Sequence, residues 1–331
     1  MNEMPTNQKE ASQTLRSALE NGFVVREPVG KQPGYWAGAP GAFFAGPNDG
    51  WYLTYRIRRP RGVEPDRGGE SRIAHSKDLK NWKDVWSVTK DRLNSASIER
   101  CALRRGPDGL WHHFISYVDP ADGRWCLSVM KARDVASLSL ATLQPVFKAK
   151  ALGLEGVKDP WLFEENGTFH MLLSVALPTA ATNERSHDTL DIYNTGECVS
   201  ATALASSRDL SQWDWKGVIF APEKPGWEQY CRRINSIIPH DGKYFGFYDG
   251  SASSAENYEE KTGLAVSTDL KRWQSLTTSG PLVTSPHGSG SLRYVDAQVV
   301  QDKAHLFYEF ARPDGAHDLR LVTLPLESLP L

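Results

Sequence analysis

The chain has 331 residues, of which 40% are hydrophobic and 24% charged, and its formal net charge is −2. So balanced a charge gives no electrostatic reason to expect a nucleic acid as a partner. The first 22 residues contain no apolar run of the length that a signal peptide or a membrane-spanning helix needs. We therefore expect a globular protein with neither a nucleic-acid nor a membrane partner, and the sequence leaves its oligomeric state open.

The four cysteines, Cys101, Cys126, Cys198 and Cys231, show no C-x-x-C pairing. Neither a zinc site nor a disulfide framework is supported, so buried free thiols and a cytoplasmic location are expected. No cluster with recognisable metal-ligand spacing is present. We expect no cofactor, although the sequence leaves open a structural ion at the centre of the fold.

The chain opens with an amphipathic segment in which Leu15 and Leu19 lie at helical spacing ahead of Gly22. This spacing predicts a short helix within an N-terminal extension of residues 1–22. The apolar residues at 23–25 predict a strand, which could complete the last repeat of a closed fold. Residues 23–331 contain no linker-like break, and we expect them to form one catalytic domain.

Five similar hairpins follow at a spacing of about 60 residues, and such long-period similarity indicates a repeat architecture. Each hairpin joins an apolar strand, a turn rich in Asn, Asp and Gly, and an aromatic second strand. The hairpins cover residues 39–55, 99–117, 157–174, 234–248 and 296–310.

A second motif, S-x-D-L-x-x-W, follows three of these hairpins and is typical of a third strand that ends in a polar turn. It begins at Ser76, Ser207 and Ser267. We expect its tryptophan to pack over the repeat. Five repeats of four short strands predict an all-β fold, a five-bladed β-propeller, which closes sheets radially with few exposed edges.

Two further segments have open interpretations. The basic stretch 56–61 is either a solvated loop or the rim of an anion site. The polar insertion 178–197 in the third repeat is long for a compact domain, and such loops are often functional. We expect it to lie over the site.

Acidic residues mark the beginning of the first strand in several hairpins. Alignment on the turns places Glu99, Asp159 and Asp296 at equivalent positions, with Glu228 just ahead of that position in the fourth repeat. First strands line the channel of a propeller, so these acids are expected to meet at its mouth. When carboxyl groups lie close together, the pKa of one is raised while another stays ionised. Such a pair supplies an acid and a base. Each acid taken alone could instead cap a turn or pair with a basic neighbour.

Glycoside hydrolysis is the reaction class that most often uses two such carboxyl groups. We take these four acids as catalytic candidates. Tryptophans supply flat apolar faces for sugar rings, and charged groups near the channel supply hydrogen bonds. The substrate-binding candidates are Trp36, Glu70, Arg100, Arg232, Arg233 and Asp249.

The Lys158-Asp159-Pro160 motif, the S-x-D-L-x-x-W turns and the hairpin period resemble the five-bladed β-propeller glycosidases. That group includes the family-43 arabinanases and xylosidases, the fructan-cleaving enzymes and the mannoside phosphorylases. The resemblance implies that Asp159 orients the substrate or tunes an acid, and that Glu99 or Glu228 is the general acid. The family's first-blade Asp has no counterpart here, because the matching stretch is Gly38-Ala39-Pro40-Gly41.

Three functions are therefore open. The first is hydrolysis of a small glycoside or oligosaccharide, with a furanosidic sugar expected from the resemblance. The second is phosphorolysis, in which phosphate would be held by Arg56, Arg58, Arg232 and Arg233. The third is sugar or protein binding without catalysis, since one fold serves many functions.

Overall fold

The computed structural model describes residues 6–331, whose regular secondary structure is β-strand apart from one α-helix and short 3-10 turns. The helix, α1, spans Thr6–Glu20. The strands are β1 (Phe23–Arg26), β2 (Trp36–Phe44), β3 (Trp51–Arg59), β4 (Arg67–Ser76), β5 (Lys83–Thr89), β6 (Ala102–Arg105), β7 (Trp111–Val118), β8 (Trp125–Ala132), β9 (Gln144–Lys148), β10 (Gly156–Glu165), β11 (Thr168–Pro178), β12 (Cys198–Ser207), β13 (Asp214–Phe220), β14 (Cys231–His240), β15 (Lys243–Ser251), β16 (Lys261–Ser267), β17 (Gln274–Ser275), β18 (Leu292–Val300), β19 (Lys303–Ala311) and β20 (His317–Pro325).

Within residues 6–331 these strands pair into antiparallel groups of four. Group 1 is β2–β5, group 2 is β6–β9, group 3 is β10–β13 and group 4 is β14–β17. Group 5 consists of β18, β19 and β20, with β1 as its outer strand. The prediction that the segment at 23–25 completes the last repeat is confirmed, so the two ends of the chain share one sheet.

The predicted hairpins all form, and their turns have the backbone that their sequences favour. In the third hairpin Asn166 and Gly167 have φ values of 51° and 67°. Asp241 and Gly242 in the fourth have φ values of 46° and 71°. Two consecutive residues with positive φ match the twist of the flanking strands, which explains the Asn-Gly and Asp-Gly pairs.

The S-x-D-L-x-x-W segments form polar turns at the ends of β4, β12 and β16. In the first of them Asp78 accepts hydrogen bonds from the backbone N–H groups of Lys80 and Asn81, at 3.0 and 2.8 Å. The Trp82 ring then packs edge-on against Phe307 of group 5, with ring centroids 5.9 Å apart. Trp213 packs in the same way on Phe114 of group 2. The tryptophan thus joins its own group to the preceding one.

The core lies between neighbouring groups rather than in one central layer. Helix α1 adds to it because Leu15 and Leu19 are buried among side chains of groups 4 and 5. The Tyr308 hydroxyl donates a hydrogen bond to the Leu19 carbonyl, which fixes the end of the helix. The predicted free cysteines are confirmed: all four are buried, and none forms a disulfide. No helix of residues 6–331 is long and apolar enough to cross a membrane.

The first strands of the groups face one another around a common centre. Strand β2 contacts β6 and β18, β6 contacts β10, and β18 contacts β14. This radial arrangement brings residues of distant repeats together. The basic segment at 56–61 lies partly in β3, where Arg56 and Arg58 are only 1% and 6% exposed. A solvated loop is therefore the wrong interpretation for these two arginines.

Candidate functional site

A β-bulge interrupts the first strand of several groups and turns side chains toward the centre. The ladder of group 3 breaks between Lys158 and Trp161, and that of group 5 breaks between Arg293 and Asp296. Inside these bulges Asp159 and Tyr294 have φ values of 56° and 55°. Left-handed backbone is costly for residues other than glycine, and such strain concentrates at functional sites.

The ladder registers correct the predicted alignment of the three acids. Asp159 lies two residues before the Trp161–Leu172 pair at which the ladder of group 3 resumes. Glu99 lies three residues before the corresponding Ala102–Phe114 pair. Asp296 is itself the residue at which pairing resumes, opposite Phe307. The acids therefore occupy three different positions, because they lie at different distances from their turns: nine residues for Glu99, seven for Asp159 and six for Asp296.

Nine charged side chains form what we call the central charge ring, in which carboxylates alternate with cations. Its members are Arg56, Glu99, Lys158, Asp159, Arg233, Asp249, Glu260, Arg293 and Glu309, and all are buried. Several members face each other as cross-strand pairs near a bulge, such as Arg233 opposite Asp249 and Arg293 opposite Glu309. Every group contributes at least one side chain.

The first half of the ring runs from Asp159 to Glu309. The Lys158 Nζ atom lies 3.6 Å from Asp159 Oδ2 and 3.9 Å from Glu99 Oε2. Arg56 then bridges two carboxylates, with its Nε 2.5 Å from Glu99 Oε1 and its Nη2 3.1 Å from Glu309 Oε2. Glu99 is thus held between two cations.

The second half returns from Glu309 to Asp249. Arg293 contacts Glu309 at 2.6 Å and Glu260 at 2.7 Å. Arg233 pairs with Glu260, and its Nη2 lies 3.9 Å from Asp249 Oδ2. That Oδ2 atom is buried and accepts no hydrogen bond from residues 6–331.

Tyr294 closes the ring by contacting both of its ends. Its backbone N–H donates to Asp249 Oδ1 at 3.0 Å, and its hydroxyl donates to Asp159 Oδ2 at 3.4 Å. The two carboxyl groups are therefore neighbours of one residue, although 90 positions separate them in the sequence.

Burial raises the pKa of both end carboxyl groups. For Asp249, burial outweighs the attraction of Arg233 and, together with the Glu260 carboxylate, raises the pKa to about 7. For Asp159, burial raises the pKa against the opposing charge of Lys158, and Glu99 adds to the rise. A carboxyl group with the pKa of Asp249 exchanges protons near neutral pH.

The ring carboxylates that have two cationic neighbours behave in the opposite way. Burial acts to raise the pKa of Glu260, but Arg233 and Arg293 outweigh it and lower the pKa to about 2. Arg293 and Arg56 likewise outweigh burial and hold the pKa of Glu309 far below its usual range. Glu260 and Glu309 are therefore permanent anions that keep their arginines in place.

Glu309 lies against the stretch of group 1 that has no acid. The Ala39 N–H donates to Glu309 Oε2 at 3.1 Å. A Cβ atom at Gly38 would overlap the Glu309 carboxylate. A carboxylate from the second strand of group 5 is thus in contact with Gly38 and Ala39.

Two predicted residues, Asp296 and Arg100, lie beside the ring and support its strands. Asp296 accepts hydrogen bonds from the Ala42 N–H at 2.6 Å and from Trp161 Nε1 at 2.8 Å. Arg100 contacts Asp296 at 3.3 Å and donates to the Pro40 and Asn235 carbonyls at 2.6 and 2.8 Å. These bonds join all five groups at the centre.

Three other predicted residues are not brought to the ring. Glu228 pairs with Arg232 at 2.6 Å and accepts a hydrogen bond from the Tyr248 hydroxyl, within group 4. Glu70 pairs with Arg59 at 3.0 Å and Arg72 at 2.6 Å on the outer strands of group 1. These ion pairs include no member of the central charge ring.

Trp36 lies at the start of β2, where an aromatic cluster borders the ring. Its ring stacks on His317 with centroids 4.6 Å apart, and the Arg293 guanidinium lies 4.8 Å from its centre. His317 contacts Glu309 at 2.8 Å and Glu259 at 3.0 Å. Burial acts to lower the pKa of His317, but these two glutamates outweigh it and raise the pKa.

The insertion at 178–197 contacts the site, as its length predicted. The Tyr193 ring lies 4.7 Å from Lys158 Nζ. Asp191 accepts a hydrogen bond from Trp125 Nε1 at 3.1 Å and another from the Tyr258 hydroxyl. The insertion and the loop that carries Tyr258 thus meet above the ring.

Sequence reasoning missed Tyr294 as a site residue, along with Glu260 and Glu309. Counting from the Asp302-Lys303 turn would have put Phe310 opposite Arg293, because the bulge between Arg293 and Asp296 shifts the register by one residue. Glu260 follows no strand pattern, because it lies in the loop just before β16. Within residues 6–331 no three His, Cys, Asp or Glu side chains are grouped to hold a metal ion.

Comparisons with known proteins add to this geometry. No protein-family model and no curated protein matches the sequence. A thermostable family-43 glycoside hydrolase superposes with a TM-score of 0.63 at 12% identity, covering 91% of this chain and 92% of its own. For a GH43_1 enzyme from Xanthomonas citri complexed with xylotriose the values are 0.58, 10%, 97% and 93%.

A β-1,2-mannobiose phosphorylase from Listeria innocua matches with a TM-score of 0.58 at 12% identity, over 93% of each chain. At such identities the likeness concerns the fold. It agrees with the radial arrangement of the strand groups and with the resemblance noted in the sequence. This chain has the propeller-like fold of family-43 glycoside hydrolases, a fold that it shares with a mannoside phosphorylase.

Proposed function

We propose that the chain is a glycoside hydrolase that acts on a small glycoside or oligosaccharide, with its chemistry in residues 23–331. In this proposal each antiparallel group is one blade of a five-bladed propeller. The observation that carries it is the pair of buried carboxyl groups, Asp159 and Asp249, which share Tyr294 as a neighbour and both have raised pKa values.

Asp249 is the proton donor in this scheme. Its pKa of about 7 leaves a large protonated fraction at neutral pH, and its Oδ2 atom has no partner among residues 6–331. A free, protonated oxygen can give its proton to the glycosidic oxygen as the bond to the anomeric carbon breaks. The leaving group then departs as a neutral alcohol.

Asp159 works as the carboxylate. Lys158 Nζ, 3.6 Å away, favours its charged form, and the Tyr294 hydroxyl orients it. As a base it takes a proton from the attacking water; as a nucleophile it bonds to the anomeric carbon until water releases the sugar. Glu99 positions Lys158 and Arg56, and the whole ring holds the site before substrate arrives.

The sugar that we expect at the cleaved bond is a furanoside, following the resemblance to arabinan- and fructan-cleaving propellers. A cytoplasmic location, which the four free thiols favour, would suit a short imported substrate. Trp36 does not serve as a sugar platform in this proposal, because it is buried with its ring stacked on His317.

The phosphorylase alternative has less support from the arginines that it invoked. Arg56, Arg232 and Arg233 each pair with a carboxylate, so their charge is already compensated. Arg58 is the exception. The non-catalytic alternative gave weight to the missing first-blade Asp, but the carboxylate of Glu309 lies against the same stretch of group 1.

A turnover assay separates the three functions. Purified protein is incubated with aryl arabinofuranosides, fructosides, xylosides, galactosides and mannosides, with and without inorganic phosphate. Hydrolysis predicts aryl alcohol release without phosphate. Release that requires phosphate would establish the phosphorylase, and no release from any glycoside by folded protein would favour the binding module.

A further inference from the structure

In the part of the chain that the structure describes, Arg58 differs from the other buried arginines around the site because it pairs with no carboxylate and donates to no carbonyl. Arg104, which also lacks a carboxylate partner there, donates to the carbonyls of Ala42, Leu103 and Leu162. Among residues 6–331 it forms neither an ion pair nor a hydrogen bond, and its Nε atom is buried and unpaired. It is nevertheless only 6% exposed. Carboxylates pair with the remaining arginines near the centre, Arg56, Arg67, Arg100, Arg232, Arg233 and Arg293.

Two aromatic rings hold this guanidinium in place. Its Cζ atom lies 4.7 Å from the centre of the Trp36 ring and 4.3 Å from the centre of the Tyr258 ring. Contacts with ring faces stabilise a cation, but they leave its N–H donors, which lie in the guanidinium plane, unused. A buried guanidinium with unused donors is costly unless an acceptor completes it.

A second unused donor lies beside it. Trp36 Nε1 is buried and has no hydrogen-bond partner among residues 6–331, and Trp36 is the cross-strand partner of Arg58. Arg58 and Trp36 are neighbours, and both thus lack a hydrogen-bond acceptor. Because one of them is charged, an acceptor with a negative charge fits best.

The position of this pair relates it to the ring. Arg56 and Arg58 are two residues apart on β3, so their side chains lie on the same face, roughly 7 Å apart along the strand. Arg58 stands at the first residue pair of β2 and β3, and Tyr258 and the insertion at 178–197 border it. A spacing of about one sugar ring therefore separates Arg58 from the charge ring.

We propose that Arg58 and Trp36 form a subsite for a carboxylate, so that the substrate is an acidic glycoside carrying a uronic acid or a similar group. This inference rests on the proposed function and names its substrate class. One uncompensated positive charge matches the single charge of a carboxylate, and the guanidinium fork matches its two oxygens. A phosphate dianion would leave one charge unmatched.

The test is a binding titration, which does not require turnover. Wild-type protein is titrated by calorimetry with methyl glucosiduronate and methyl galactosiduronate, and with methyl glucoside and methyl galactoside as their neutral counterparts. We expect at least one acidic ligand to bind about 10- to 100-fold more tightly than its neutral counterpart, the size of a charge-assisted hydrogen bond. Equal affinities for both pairs would overturn the proposal.

Variants assign the effect to this residue. Arg58→Met should abolish the preference for the acid, and Arg58→Lys, which keeps charge and stem but not the fork, should retain part of it. Arg59→Met is the matched control, because Arg59 pairs with Glu70 on the outer strands and should leave the preference unchanged. A preference that survives in both Arg58 variants would contradict the assignment.

The remaining outcomes separate this inference from the proposed function. If inorganic phosphate, but neither uronide, binds in an Arg58-dependent manner, the subsite serves a phosphate co-substrate and the carboxylate proposal is wrong. If neutral glycosides are hydrolysed and acids show no preference, the hydrolase stands and the subsite falls. If acids bind through Arg58 but no glycoside is cleaved, the subsite stands and the hydrolase falls.

Discussion

Asp249 and Glu260 contact the same arginine, Arg233, and yet their pKa values move in opposite directions. Glu260 also has Arg293 as a partner at 2.7 Å, whereas Asp249 has only the more distant contact at 3.9 Å. The second cation decides whether the pKa of the carboxyl group rises or falls. In the interior, one weak ion pair does not offset the desolvation of a carboxylate, and two close ones do.

The raised pKa of Asp249 has a consequence for stability. Between about pH 4 and pH 7 the folded protein keeps a proton that the unfolded chain has lost, so this group's contribution to the free energy of unfolding falls as pH rises. We expect Asp249→Asn to gain stability relative to the wild type across this window. Urea unfolding at pH 4.5 and pH 7.5 measures the difference.

The lowered pKa values of Glu260 and Glu309 make the contributions of these two groups to the free energy of unfolding rise with pH. Both proteins contain these groups, so their contributions cancel from the comparison. Asp302→Asn, at an exposed turn, is the control and should track the wild type at both pH values. A stability difference between Asp249→Asn and the wild type that does not change with pH would show that Asp249 is ionised throughout.

Glu99 is expected to matter for stability as well as for activity. It lies between Arg56 and Lys158, so Glu99→Gln leaves two buried cations with less compensation. Removing one partner of a buried pair typically costs about 3 kcal/mol. Thermal and urea unfolding should both show this loss, and a variant as stable as the wild type would mean that the Arg56 contact contributes nothing.

At the scale of elements, helix α1 is part of the core. Leu19 is 1% exposed and packs among residues of groups 4 and 5. We expect Leu19→Ala to lower the free energy of unfolding by about 2–5 kcal/mol, the usual range for a buried leucine. Urea denaturation is the measurement.

Ser17→Ala, on the exposed side of the same helix, is the matched control and should change stability little. A Leu19→Ala variant that is as stable as this control would show that the packing of the helix adds nothing to the free energy of unfolding. The helix would then be a removable extension.

The strands and turns could be predicted from the sequence because their signals are local. Asn166-Gly167 needs only its own backbone preference to fix a hairpin, and Asp78 caps its own turn. The bulges carry no such signal, since the residues inside them are as different as Asp159 and Tyr294. The alignment of Glu99, Asp159 and Asp296 failed because the three acids lie at different distances from their turns.

At the scale of the whole molecule, the site exists only because the strand groups share a centre. The Glu309 carboxylate lies against Gly38 of group 1, and Glu260 reaches the ring from the loop before β16. Neither role follows from a repeat pattern, since each depends on which groups become neighbours. The first and last groups meet where Trp36 of β2 pairs with His317 of β20.

The central claim is that Asp159 and Asp249 together perform hydrolysis, and their isosteric variants test it most directly. The measurement is the turnover number of Asp159→Asn and Asp249→Asn on the aryl glycoside that the wild type cleaves fastest, with Asp302→Asn as control. We predict a loss of about 100- to 10,000-fold in each variant, as expected for a missing acid or base, and wild-type turnover in the control. If either variant keeps wild-type turnover, or if the wild type cleaves no glycoside, the account is contradicted.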